Sequence, residues 1–200
     1  SGISAGAGVI VARFFGAGDE KNLQRAVHTT VAFGLVAGVL MTGVGVALSP
    51  QILRWMDTPE SVMRESVTYL QIYFAGSLGF VMYNVLVGIL QAVGDSRHPL
   101  YYLIVSSVIN LVLDLLFITG FHTGVGGAAV ATVISQIVSA LLCFWQLLRT
   151  KESYGLKIRK IRFDKGILVQ IIKIGLPSGV QNSIIAFANV FVSSWRLTLW

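Results

Sequence analysis

The segment "SSVINLVLDLLFI", residues 106–118, is apolar except for Ser106, Ser107, Asn110 and Asp114. At about 100° per residue these four fall on one stripe of a helix, whereas Leu111, Leu115 and Phe117 spread over other directions. Of nine acidic residues in the chain, Asp114 alone lies well inside an apolar run. A carboxylate near the centre of a membrane span costs about 2.5–3.5 kcal/mol on insertion scales, so Asp114 is expected to face other helices or a water-filled cavity. Two roles suit such a group: an interhelical hydrogen bond, or a proton or sodium site on a transport path. Asn110 stands one turn earlier, where its carbonyl oxygen could join the carboxylate around a cation or its amide could donate to it.

The elements that must hold this stripe are membrane helices. With 54% hydrophobic and 12% charged residues over 200 positions, and a mean hydropathy of +0.75, the chain is far more apolar than a soluble domain. The expected fold class is all-α, a polytopic transmembrane helical bundle. Six spans are expected: an incomplete first one up to about residue 15, then about 27–49, 66–92, 99–119, 125–148 and 170–195. Twelve of the fifteen Lys and Arg fall in the loops on one side, and only Arg54, Arg64 and Arg196 on the other. The positive-inside rule makes the first side cytoplasmic and turns the loops holding Trp55 and His122 outward. A multi-pass protein of the cell membrane is expected, in a bacterium its inner membrane.

The same distribution accounts for the net charge of +6 without nucleic acid. The basic stretch "RTKESYGLKIRKIRFDKG" reads as a solvated positive-inside linker, although "LKIRKIRF" also suits a segment lying along anionic lipid headgroups. Trp55, Tyr101, Tyr102 and Trp145 sit near the ends of spans, as an interfacial aromatic belt would place them.

Ordinary enzymatic chemistry is not expected. Cys143 is the one cysteine, which excludes an intramolecular disulfide and a Cys-based metal site. His28, His98 and His122 have no HxxxH or HxxE partner, and the sequence has no GxGxxG after a strand, Walker lysine motif or GxSxG elbow. No cofactor is expected, and no metal beyond a possible sodium ion at Asp114 and Asn110. Asn84, Ser107, Gln136 and Asn182 are further candidates for lining a cavity. Thr132, Gln181 and Asn189 are further polar residues inside spans.

Glycine marks helix contacts and helix ends. Gly2 and Gly6, Gly34 and Gly38, and Gly175 and Gly179 form small-xxx-small pairs, which let helix backbones approach closely in lipid and leave smooth faces that can slide or bend. "GAGD" at 16–19 and "AVGD" at 92–95 echo each other, with Gly18 and Gly94 ending a helix and Asp19 and Asp95 capping the next. Pro177 is expected to kink the last span near its start.

Taken in order, "VARFFGAGDEKNLQRAV", "LVGILQAVGDSRHPLYYLIVSSVINLVLDLLFI", "GVGGAAVATVISQ" and "IIKIGLPSGVQNS" resemble successive signatures of the multidrug and toxic compound extrusion (MATE) family over nearly the whole chain. The resemblance implies twelve helices in two pseudo-symmetric lobes joined by a cytoplasmic linker. On that map residues 1–148 are the N-terminal lobe from a partial second helix to the sixth, 149–169 the linker, and 170–200 the truncated start of the C-terminal lobe. The chain, which begins at Ser1 without methionine, thus reads as a fragment of about half the protein. The implied function is secondary-active export of cationic lipophilic compounds in exchange for protons or sodium ions, by a monomer in contact with membrane lipids. In the DinF-like branch the resemblance makes Asn110, Asp114 and Thr132 a cation site, completed by an acidic residue of the first helix. The NorM-like branch has an acidic residue in its seventh helix, but "GLPSGVQNSIIAFANVFVSS" has none, which favours the DinF-like branch. The ending "SWRLTLW" departs from the polar, glycine-containing continuation the family implies. A lipid-linked sugar flippase of the same superfold and a non-transporting membrane scaffold are the alternatives.

Overall fold

A computed structural model of the chain describes residues 2–120 and 124–197. His122, assigned above to an outward loop, lies outside the described residues, as do the last three positions of "SWRLTLW". Among the described residues seven α-helices follow one another: α1 (Gly2–Gly16), α2 (Glu20–Trp55), α3 (Glu60–Ala75), α4 (Ser77–Ala92), α5 (Arg97–Leu115), α6 (Gly124–Arg149) and α7 (Lys165–Leu197). A π turn at Leu116–Gly120 extends α5, and a 3₁₀ turn at Ile158–Lys160 interrupts the segment before α7. The all-α expectation is met: no strand occurs among the described residues.

Several boundaries differ from those read in the sequence. The span expected to stop at residue 49 continues through Pro50 to Trp55. Proline removes one backbone donor, the one that would reach the Val46 carbonyl, but a helix inside a membrane bundle can continue through it. The span expected at 66–92 begins earlier, at Glu60, and is divided at Gly76 into α3 and α4, which together still form one stretch long enough to cross a membrane. Here α6 presses closest: a Cβ on Gly76 would clash with the Val133 side chain. The last helix starts at Lys165 rather than 170 because Asp164 caps it, its Oδ1 accepting from the Gly166 and Ile167 amides at 3.1 and 3.2 Å. Pro177 consequently stands in the interior of α7, not near its start, and the helix runs through it.

The two Gly–Asp turns have the same construction. Gly18 and Gly94 adopt positive φ, +66° and +87°. The following amides reach back five residues, Asp19 N to the Phe14 carbonyl at 3.1 Å and Asp95 N to the Leu90 carbonyl at 2.9 Å. This is the Schellman closure that a left-handed glycine permits. Each aspartate then accepts from the amide three residues on, Asn22 at 3.1 Å and His98 at 3.3 Å. The Asn22 hydrogen bonds, backbone first and then side chain, hold the Asp19 carboxyl below its usual 3.8.

The buried core lies towards the end of the bundle where these turns sit. Ile10, Leu23, Leu86, Ile89, Leu90, Leu147 and Ile171 are its largest fully buried side chains, drawn from α1, α2, α4, α6 and α7. The opposite half of α2 exposes Val36, Val39, Leu40 and Val44, and α3 buries no residue. Apolar side chains facing outward are what a lipid-embedded helix presents, and four stretches are long and apolar enough to cross a membrane: Glu20–Trp55, Glu60–Ala92, Arg97–Gly120 and Gly126–Arg149.

Glycines decide how closely the helices meet. A Cβ on Gly6 would stand 2.6 Å from the Gly175 nitrogen, and one on Gly2 would stand 2.7 Å from the Gly175 carbonyl oxygen and collide with Gly179. The two small-xxx-small pairs of α1 and α7 therefore pack on each other, backbone to backbone. Gly34 and Gly38 of α2 receive Val85, Met82 and Leu78 of α4.

The basic segment after α6 is not a free solvated linker. The His28 ring on α2, 3% exposed, donates from Nδ1 to the Gln24 carbonyl at 2.6 Å and accepts the Lys157 amide on Nε2 at 3.0 Å. Gln24 donates to the Ser153 and Gly155 carbonyls. The Thr29 hydroxyl donates to the Arg162 carbonyl at 3.4 Å and accepts from the Asp164 amide at 3.1 Å. Leu156 is buried in the core. A lysine- and arginine-rich stretch can pack in this way because its backbone polar groups find partners on α2 while its charged ends stay in water.

Candidate functional site

Asn110 of α5 meets Thr132 of α6, and Asp114 stands one turn farther along α5. The Asn110 amide donates to Thr132 Oγ1 at 3.5 Å. The threonine hydroxyl donates in turn to the Ala128 carbonyl at 3.0 Å, which leaves its oxygen to accept from the asparagine. Asp114 is half-buried, and its Oδ1 is sealed from solvent with no hydrogen-bond partner. A buried carboxylate oxygen without a donor is costly, and it calls for a proton, a cation or another donor. The π turn begins at Leu116, two residues beyond Asp114; such turns interrupt regular helices most often at functional positions.

The polar stripe of α5 divides. Ser106 is buried, whereas Ser107 is exposed and returns its hydroxyl to the Leu103 carbonyl at 2.8 Å. Seven residues apart, Ser107 and Asp114 lie within about 20° of each other around α5, but Ser107, two turns nearer the start of the helix, is exposed whereas Asp114 is half-buried. Gln136 is half-buried one turn after Thr132. The sequence reading missed Ser135 and Ser139 of α6, both buried, whose hydroxyls donate to the Thr132 and Ser135 carbonyls. Their spacing from Thr132, three and seven residues, was the available signal.

A second group of the proposed residues gathers elsewhere. Asn84 of α4 and Asn182 of α7 both line an open cavity of about 930 Å³ bordered by α1, α2, α4 and α7. Phe33, Met41, Phe80 and Leu176 supply much of its apolar wall. The Asn84 amide is held by the Phe80 carbonyl at 2.8 Å. Of Asn189 only the helical backbone position is described.

A bundle of apolar spanning helices, with cations and capped turns at one end, defines a multi-pass protein of the cell membrane. The chain belongs to the MatE family, whose model matches residues 1–116. It is 32% identical over 201 residues to the probable multidrug resistance protein YoeA of Bacillus subtilis, covering 97% of this chain and 43% of that protein. Among solved structures it resembles a MATE protein in the bent conformation, with a TM-score of 0.89 and 27% identity over 96% of this chain and 43% of the other. It also resembles the inward-facing conformation of a multidrug resistance MATE family transporter, with a TM-score of 0.82 and 29% identity over 88% of this chain and 40% of the other. The chain spans about two fifths of the length of the curated relatives it matches.

Proposed function

We propose that the protein to which this chain belongs is a secondary-active antiporter that exports cationic, lipophilic compounds by alternating access. In this reading residues 1–148 belong to its N-terminal lobe, 149–169 join the lobes and 170–200 open the C-terminal lobe. Asp114, with Asn110 and Thr132, carries the coupling proton or sodium ion, as in the DinF-like branch, and the protein acts as a monomer. The observation that carries this reading is the sealed, unpartnered Oδ1 of Asp114 beside the Asn110–Thr132 hydrogen bond.

An ion can drive the cycle only by binding one conformation better than the other. Protonating Asp114, or placing a cation against it, removes the penalty of an unpaired buried acceptor, so occupancy changes which packing of α5 on α6 is preferred. The apolar cavity bordered by Asn84 and Asn182 suits a lipophilic guest, with two amides to orient it.

The test uses the full-length protein in a pump-deficient host, with ethidium efflux and fluoroquinolone resistance as readouts. Asp114→Asn should abolish gradient-dependent efflux while expression and folding persist. Unaltered efflux with an unaltered dependence on the proton and sodium gradients would remove Asp114 from the mechanism.

A further inference from the structure

The segment between α6 and α7 does more than dock on α2: together they close a crevice of about 500 Å³ at the cytoplasmic end of the bundle. Lys21 and Arg25, one turn apart on α2, form one wall, and Arg162, Phe163 and Asp164 form the other. Thr29 fixes the second wall against the first by gripping the backbone on both sides of Phe163. The cations are therefore held around one space and not scattered along a loose chain.

Three cations and one acid line the crevice; Asp19 also acts on Lys21 and Arg25 from outside the lining, and Asp164 is already engaged. Asp164 Oδ1 caps α7, and its Oδ2 stands 3.8 Å from Arg25 Nη1, a long ion pair. The positive end of the α7 dipole lies at the same place. The crevice thus holds a surplus of positive charge that an anion of more than one oxygen would neutralise.

Its position selects the kind of anion. After Arg25, α2 has no Asp, Glu, Lys or Arg until Arg54, so the crevice sits where the apolar span ends. Phe163, 47% exposed, borders it, and Ile158 nearby in the same segment is also exposed. Cationic side chains beside exposed apolar ones, at the level of the cytoplasmic surface, fit a headgroup with its acyl chains better than a soluble ion.

We propose that Lys21, Arg25 and Arg162 form a binding site for the phosphate of an anionic phospholipid, with Phe163 against its acyl region. A lipid bound there bridges α2 to the segment leading into α7.

Native mass spectrometry of the full-length protein in neutral detergent, titrated with phosphatidylglycerol or phosphatidylcholine, tests this. Arg25→Gln with Arg162→Gln should weaken phosphatidylglycerol retention roughly tenfold or more, at about 1 kcal/mol for each charge removed near the surface. Lys151→Gln with Arg159→Gln removes the same charge outside the crevice and should leave retention nearly intact. Lys21→Gln gives an independent reading if the first pair does not fold. Equal loss in both double variants, or phosphatidylcholine retained as well as phosphatidylglycerol, would overturn the site. Inorganic phosphate that binds with the same Arg25 and Arg162 dependence, and phosphatidylglycerol that does not, would overturn the lipid assignment in favour of a soluble anion.

Discussion

Gly6 of α1 and Gly175 of α7 meet backbone to backbone, so closely that a methyl group on Gly6 would stand 2.6 Å from the Gly175 nitrogen. Helices that touch in this way have no side chains to interlock, and van der Waals contact between smooth surfaces holds them. If α1 and α7 belong to different lobes, the seam is where the lobes move past each other.

Gly6→Ala should therefore separate the two helices and lower ethidium efflux of the full-length protein, with an overpacking cost of about 1–3 kcal/mol read as a drop in Tm. Gly16→Ala is the control, because a Cβ there meets nothing within 4 Å. Efflux and Tm unaffected by Gly6→Ala would show that the seam tolerates an opening and has no mechanical role.

The hydrogen bond from Asn110 to Thr132 makes a separate prediction. Thr132→Val keeps the shape of the side chain but removes the acceptor, leaving the asparagine amide unpaired at a cost of about 1–3 kcal/mol. The apparent affinity for the coupling ion should fall, and adding Asn110→Ala should cost less than the two single effects combined, since both remove one interaction. Strictly additive effects in ion-dependent transport would separate the two residues functionally.

The Gly18–Asp19 and Gly94–Asp95 turns should respond alike. Gly18→Ala and Gly94→Ala each force a left-handed conformation on a residue with a Cβ, at about 1–2 kcal/mol, and should lower Tm by similar amounts. Asp19→Ala should lower it as well, whereas Asp19→Asn should largely preserve it because asparagine caps helices equally well.

The lowered acidity of the Asp19 cap sets a pH window. Because the folded value lies below the usual 3.8, its stabilisation is complete above that value and fades as pH falls beneath it towards the folded one. Asp19→Asn should remove this part of the acid dependence, seen as a flatter Tm profile below about pH 4.

His28 and Thr29 can be tested by local exposure. His28→Ala or Thr29→Val withdraws a buried partner from the backbone of the segment before α7. Faster amide exchange should follow at Lys157 in the first variant and at Asp164 in the second, with α1 and α4 unaffected. Exchange that rises equally throughout would mean that these bonds support the whole bundle and not the docked segment.

Much of this architecture is set by local chemistry. Hydropathy marked six apolar stretches, four of which are long and apolar enough to cross a membrane among the described residues, and Gly18–Asp19 and Gly94–Asp95 marked turns whose positive φ and aspartate caps depend on a few adjacent residues. Helical spacing placed Ser107, Asn110 and Asp114 on one stripe, but spacing does not reveal how far the neighbouring helix covers that stripe, and Ser107 is exposed whereas Asn110 and Asp114 are half-buried. Likewise, the span expected to end at residue 49 continues through Pro50 to Trp55, because whether a helix continues past proline depends on what surrounds it. Only the tertiary structure paired Gly2 and Gly6 with Gly175 and Gly179, set Asn110 against Thr132, and turned the basic segment from a solvated loop into a wall of a crevice on α2. Those relations join residues from 22 to more than 130 positions apart, and periodicity within one helix carries no information about which face of a distant helix it will meet.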